Sequence, residues 1–330
     1  MNDTAALKNK AKEKPRKEKK AKIPLRDRMT ASNIKSFLGR LFIYVLLIEI
    51  AFIIIFPLMT KFSSALMSRE DMFDRTVSFI PRNPTIENFV TAFTDSYYLE
   101  ALLNTFLMAL MAAVLQTLIC SLTGYGLAKL KSKLATVVFG LVVLNILIPP
   151  QVILVPLYLK FRFFDVFGIL ELITGMKGPS LMNTPFPLLI LSLTGYGFKN
   201  GLYIFIMRQF YKGVPEEIEE AAAIDGYGTI ATYFKIVLPM AVPMMITIFM
   251  FAFSWQWTDT FYSGIFFSNF RVLANTIFTM KGAFASGVSA YQGAILLHTG
   301  VLIAIAPLIL IYTVAQRWII GGIERSGLVG

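Results

Sequence analysis

The chain has 330 residues, of which 56% are hydrophobic and 15% charged, with 29 Phe and a mean hydropathy of +0.64. Soluble domains average about half apolar and about a quarter charged, so this composition excludes an ordinary soluble enzyme and marks an integral membrane protein. The net charge of +11 does not point to nucleic acid, because 13 of the 31 Lys and Arg residues fall within the first 40 positions, and the rest of the chain is only mildly basic. One Cys (Cys120) and one His (His298), both inside apolar runs, supply neither a disulfide framework nor paired metal ligands.

Residues 1–36 carry a run, "KNKAKEKPRKEKKAKIPLRDR", with almost no large apolar side chains. Such a segment cannot bury a core and reads as a disordered basic tail that sets topology and touches anionic lipid headgroups. No small-residue cleavage site follows it, so the first apolar segment is expected to stay as an anchor. A hydrocarbon core of about 30 Å needs about 20 largely apolar helical residues. Six stretches qualify: Leu41–Met59, Leu102–Leu127, Ala135–Leu157, Pro187–Phe210, Met240–Trp257 and Ala294–Trp318. The fourth contains "LTGYGFKNGLYIF", and a lysine at bilayer depth costs about 2.5–3.5 kcal/mol, so this span is expected to break or face a protein-lined cavity. The Gly197–Gly201 spacing also reads as GxxxG, but with Lys199 and Asn200 inside it a break is the better expectation.

The basic residues after the second span (Lys129, Lys131, Lys133), around the fourth-to-fifth connection (Arg208, Lys212, Lys235) and near the end (Arg317, Arg325) join the tail on one side. The positive-inside bias therefore predicts cytoplasmic N- and C-termini. The opposite loops, roughly 60–101, 158–186 and 258–293, are long and rich in Phe, Tyr, Gly and Pro, which accords with interfacial aromatic belts and with working loops.

The one long polar interruption in the second half is "EEIEEAAAIDGYGTIATYFKIVLP", Glu216–Pro239. Pro215 suits a helix start, Glu216 and Glu217 complement the dipole, and Gly226 supplies a left-handed cap. A second short helix is expected from Thr229, with Ile230, Tyr233, Phe234 and Val237 at i, i+3, i+4 and i+7, stopping at Pro239. Ala221, Ala222 and Ala223 beside Glu220 gain little from lipid but let another backbone approach, so the stretch reads as a docking knob. An interfacial amphipathic helix would carry Lys or Arg opposite large apolar residues, and this one is acidic.

Glu220-Ala221-Ala222, then Gly226, Ile236 and Leu238-Pro239 spell EAA-x3-G-x9-I-x-LP without a gap. The chain thereby resembles permease subunits of binding-protein-dependent ABC importers. The stretches "NPTIENF", "LLNTF", "IPPQVILVPLY", "RQFYKGVPEEIEEAAAIDG" and "QRWIIGGIERSGLVG" are similar to the carbohydrate branch, and to the MalG-like second permease subunit of maltose-type importers. The likeness runs from about Arg82 to Gly330. It departs in the longer basic tail, in Lys199 and Asn200, and in "SWQWTDTF", where the family more usually has Trp-Asn-Asp.

The resemblance implies an all-α integral membrane protein with about six transmembrane helices, the type I ABC importer permease fold and a cytoplasmic coupling helix. Its expected parts are the tail 1–36, a first helix and extracytoplasmic loop 37–100, a core transmembrane domain 101–318 with a coupling loop 212–239, and a flexible cytoplasmic C-terminal tail 319–330. The implied assembly in a bacterial-type cell membrane is a heterodimer with a second permease, two cytoplasmic ABC ATPase subunits, an extracytoplasmic solute-binding protein and a sugar or oligosaccharide. The resemblance also implies ATPase contacts through Glu219, Glu220, Ala221, Ala222, Asp225, Gly226, Ile236, Leu238 and Pro239. The chain has no G-x-x-x-x-G-K-[ST] loop, so it is expected to bind no cofactor itself, the partner ATPase using ATP and Mg. Lys199, Asn200, Trp255, Gln256, Trp257 and Asp259 are polar or aromatic groups in or near spans, suited to stacking on and hydrogen-bonding a sugar, or to anchoring at the interface. Two other readings stay open beside a non-sugar ABC substrate. A secondary transporter needs midplane carboxylates, for which only Glu49 qualifies; a membrane scaffold would use the EAA stretch without moving a solute.

Overall fold

The computed structural model describes residues 31–94, 96–277 and 290–327. Most of the basic tail (1–30) and residues 278–289 of the third long loop lie outside the described residues, as do 328–330. The described residues contain helices and turns and no strand. They divide into two compact units, Met1–Met59 and Thr60–Gly330.

Helix α1 (Ala31–Ala65) is apolar on every side, and its side chains are exposed from Ser36 to Pro57. A helix apolar all round must be covered by lipid or by another chain. Glu49 stands on it exposed, with no ion pair among the described residues.

The second unit opens with a loop that carries two short helices, α2 (Arg69–Phe73) and α3 (Glu87–Thr94). Its backbone is held by buried side chains: Asn88 donates to the carbonyls of Ala65 and Met67 at 2.9 Å, and Asp71 accepts from the Asn83 N–H at 2.9 Å. Helix α4 (Ser96–Lys129) follows and runs through the middle of the unit. Its Ala109, Ala112 and Ala113 are fully buried, because small residues let neighbouring helices approach.

Helix α5 (Lys133–Leu147) starts at a Ser132 cap, whose hydroxyl accepts from the Ala135 N–H at 3.1 Å. The expected third span, Ala135–Leu157, does not continue as one helix. It stops at Leu147 and turns by 98° into Pro150–Arg162, a 3₁₀ turn (Pro150–Ile153) followed by α6 (Leu154–Arg162). Pro149 and Pro150 cause this: proline has no N–H to continue the ladder, and the residue before a proline is pushed to extended backbone, as seen at Ile148 and Pro149.

After the short α7 (Ile169–Thr174), the expected fourth span is two helices, α8 (Phe186–Leu193) and α9 (Asn200–Lys212). The break is the one anticipated from Lys199 and Asn200. Gly197 and Gly201 lie against Gln116, Ser192 and Asn145 of the same chain, which accounts for their small size without a second copy.

The polar stretch forms α10 (Glu216–Ile224) and a one-turn α11 (Thr229–Thr232), and a π-helical turn (Tyr233–Val237) leads directly into α12 (Leu238–Trp257). The expected stop at Pro239 is therefore absent, and Thr229–Trp257 is one continuous apolar length. The wide turn explains the difference: Leu238 donates to the Tyr233 carbonyl, so the ladder is already displaced where Pro239 brings no N–H. Helix α13 (Phe261–Phe266) and the long α14 (Ala290–Gly327) complete the unit. α14 continues past the expected end at Trp318, so most of the C-terminal segment is helical rather than a loose tail.

Four helices among the described residues are long and apolar enough to cross a membrane, or five if the bent α5–α6 pair is one span. The core forms where α4 packs along α9 and α12, and α12 along α14. One of its polar ties is the Trp257 indole N–H, which donates to the Ala304 carbonyl at 3.0 Å.

Candidate functional site

Helix α10 stands at the end of the unit where α4 turns into α5. Pro215 precedes it as the cap residue, one position before the expected place, and Glu216, Glu217 and Glu219 occupy the first turn beside the positive end of the dipole. Its far end closes with a left-handed Gly226 at φ +84°. There the Tyr227 N–H donates to the Ala222 carbonyl at 2.9 Å and the Gly226 N–H to that of Ala223 at 3.0 Å, the paired bonds of a Schellman motif.

The helix has two unlike faces. Inward, Ala222 is only 2% exposed and Ile218 packs against the core. Lys129, the last residue of α4, reaches across to Glu219 at 3.1 Å and to the Val214 carbonyl at 3.0 Å. Lys131 pairs with Glu216 at 3.0 Å, and its hydrogen bond holds the Glu216 carboxyl below the usual carboxylate range. That second pair is well exposed, so solvent screens it and it adds little stability, whereas the first is mostly shielded. Outward, Glu220, Ala221, Ala223, Ile224 and Asp225 are exposed, Ile224 at 87%. The outward surface continues over Tyr227, Ile230 and Phe234. Ile224 is thus an exposed isoleucine on an otherwise acidic helix, and the apolar surface continues onto α11 through Ile230.

Of the residues expected to meet a partner, Glu219 and Ala222 thus face their own chain instead. Ile236 and Leu238 are half-buried in the π turn and at the start of α12, with Pro239 exposed. Behind the helix, the hydroxyls of Tyr211 and Tyr233 lie 2.6 and 2.9 Å from the Ser121 hydroxyl, and the Tyr125 ring lies tilted against that of Tyr233, with centroids 4.8 Å apart. This cluster ties α4, α9 and the π turn together. Sequence reasoning missed it, along with the roles of Lys129 and Lys131, which register only as topology signals.

The six candidates near the fourth and fifth spans do not form one site. Trp257 is core, and Asn200 is fully buried at the break, donating to the Ser192 carbonyl at 3.2 Å. Gln256 is buried next to Trp257 in α12. Asp259 caps α13: its carboxylate accepts from the backbone N–H groups of Phe261, Tyr262 and Ser263 at 2.9–3.1 Å and from the Ser263 hydroxyl at 3.1 Å. Asp259→Ala is expected to destabilise the chain by about 1–2 kcal/mol, visible as a lower Tm in detergent, because four donors lose their acceptor. Lys199 and Trp255 do come together. The Lys199 ammonium lies 5.0 Å from the Trp255 ring centre and 5.4 Å from that of Phe198, a residue the sequence did not single out.

The family model described as "Binding-protein-dependent transport system inner membrane component" matches residues 118–325, which hold α9, the whole polar stretch and α12. The chain belongs to this family. It is a permease subunit of an ABC importer. The permease is 26% identical over 278 residues to the sulfoquinovosyl glycerol transport system permease protein SmoH of Agrobacterium fabrum, covering 84% of this chain and 89% of that relative. It is 25% identical over 285 residues to the arabinooligosaccharides transport system permease protein AraQ of Halalkalibacterium halodurans, covering 85% and 93%. In fold it is similar to a chain of a bacterial ABC transporter involved in the import of the acidic polysaccharide alginate, with a TM-score of 0.69 at 18% identity over 86% of this chain and 98% of that one.

Proposed function

We propose that this permease imports a sugar or oligosaccharide as one half of a heterodimeric translocation path, with six membrane crossings and α10 as its coupling helix. The crossings are α1, α4, the bent α5–α6 pair, the broken α8–α9 pair, α12 and α14. The termini and the coupling loop 212–239 lie on the cytoplasmic side, where the positive charge concentrates. Two cytoplasmic ATPases supply the energy, since the chain has no phosphate loop of its own. An extracytoplasmic solute-binding protein delivers the substrate. The saccharide reading draws on the named cargoes of the relatives.

The observation that carries the coupling role is the two-faced construction of α10. Its inner face is bound to α4 by Lys129 and Glu219, while Glu220, Ala221, Ile224 and Asp225 are left outward. A helix held in this way transmits movement of a bound ATPase to α4 and α12. ATP can shift the equilibrium between inward- and outward-facing states only by favouring the contacts made in one of them. In a Cys120→Ser background, Ala221→Cys is expected to react rapidly with a maleimide and to be shielded when the ATPase is bound. Ala222→Cys should be slow in both states. Equal labelling of Ala221→Cys with and without the ATPase would overturn the docking role.

A further inference from the structure

The position of Lys199 in the broken fourth span is not explained by the coupling role. The residue holds a left-handed backbone at φ +65°, a conformation that side chains rarely adopt and that persists where the surroundings enforce it. Its side chain is exposed, and among the described residues it pairs with no carboxylate. Two aromatic faces confine it instead. The Phe198 and Trp255 rings meet edge-on at 5.5 Å, with the Lys199 ammonium over both, and Tyr262 supports Phe198 from behind at 5.6 Å. Trp255 is 46% exposed, so part of its indole is open beside the ammonium.

Depth decides what can occupy this platform. The 13-residue α9 separates Lys199 from Lys212, and at about 1.5 Å per residue that is about 20 Å. With Lys212 at the cytoplasmic boundary of a hydrocarbon core of about 30 Å, as in the crossings proposed above, the ammonium lies about 10 Å inside the opposite boundary. Acyl chains cannot solvate it there. The ammonium therefore faces a polar path or another chain.

We infer that Phe198, Lys199 and Trp255 form a subsite of the translocation path for a saccharide carrying an acidic group, a carboxylate or a sulfonate. The indole stacks on the apolar face of the ring, and the ammonium pairs with the anion. A neutral sugar needs only the aromatic half, whereas the unpaired cation favours an anion at this depth. This inference rests on the reading of the chain as a saccharide permease.

The test is uptake, by cells carrying the complete importer, of uronic-acid disaccharides and their neutral counterparts, such as cellobiouronic acid and cellobiose. The expected result is uptake of a uronate, with the uronate-to-neutral ratio falling at least tenfold in Lys199→Gln and largely kept in Lys199→Arg. Uptake of neutral probes alone would overturn the acidic subsite while leaving the saccharide permease standing. If Lys199→Gln instead loses both probes together with co-purification of the second permease, the lysine pairs with that chain, and the subsite is refuted.

Discussion

Glu220→Arg is expected to stop uptake while leaving the permease folded and at normal abundance in the membrane. Glu220 is exposed on the outer face of α10 and makes no ion pair among the described residues, so its replacement breaks nothing inside the chain. At a docked interface, reversing a charge costs about 2–5 kcal/mol, which corresponds to roughly 30-fold or more in ATPase affinity. Gly226→Pro should give the same phenotype by another route. Gly226 holds φ +84° and its N–H donates to the Ala223 carbonyl; proline forbids both and opens the end of the helix without touching the spans. Co-purification of the ATPase with detergent-solubilised permease is the direct measurement. Wild-type recovery with both variants would refute the coupling role of α10, and normal uptake in both would refute it in cells.

Gly124→Val is expected to act on the fold instead. A Cβ at Gly124 would lie 2.7 Å from the Met207 Cβ and 3.0 Å from the Arg208 backbone nitrogen, so α4 and α9 would have to separate along their length. Overpacking of this kind costs typically 1–3 kcal/mol, and the clash with backbone puts this site at the upper end, about 3 kcal/mol. Gly126→Ala is the internal control. Two positions further on, the nearest atom to an added Cβ is the Leu130 side-chain end at 4.0 Å, and alanine is the better helix former. Thermal unfolding in detergent should show a clear fall in Tm for the first and none for the second. Equal Tm values would mean that the two helices do not touch as described.

Much of the architecture was legible because membrane helices announce themselves by length and apolarity. Helices α1, α4, α12 and α14 contain the four spans expected around them, and the break at Lys199 was readable from one misplaced charge. The bend in the third span was not legible, because periodicity carries no information on direction, and the Pro149–Pro150 pair turns the chain by 98° inside an unbroken apolar run. Pro239 misled in the opposite way: a π turn ahead of it absorbs the missing N–H, and the helix continues.

The polar stretch Glu216–Pro239 shows where the boundary falls. Its helical form, its glycine cap and its refusal to span follow from local chemistry, namely charge density, the dipole and the φ that only glycine adopts freely. Those the sequence determined alone, together with the motif that places the chain in its family. Which face of α10 is open was decided by the tertiary structure. Glu219 and Glu220 are neighbours of the same type, yet Lys129, 90 positions before Glu219, pairs with one and leaves the other outward. Trp255 and Trp257 separate likewise, two positions apart on one helix, one beside Lys199 and the other against Ala304. Contacts between residues so distant in the chain depend on how the helices pack in space, and a single sequence carries no direct record of that.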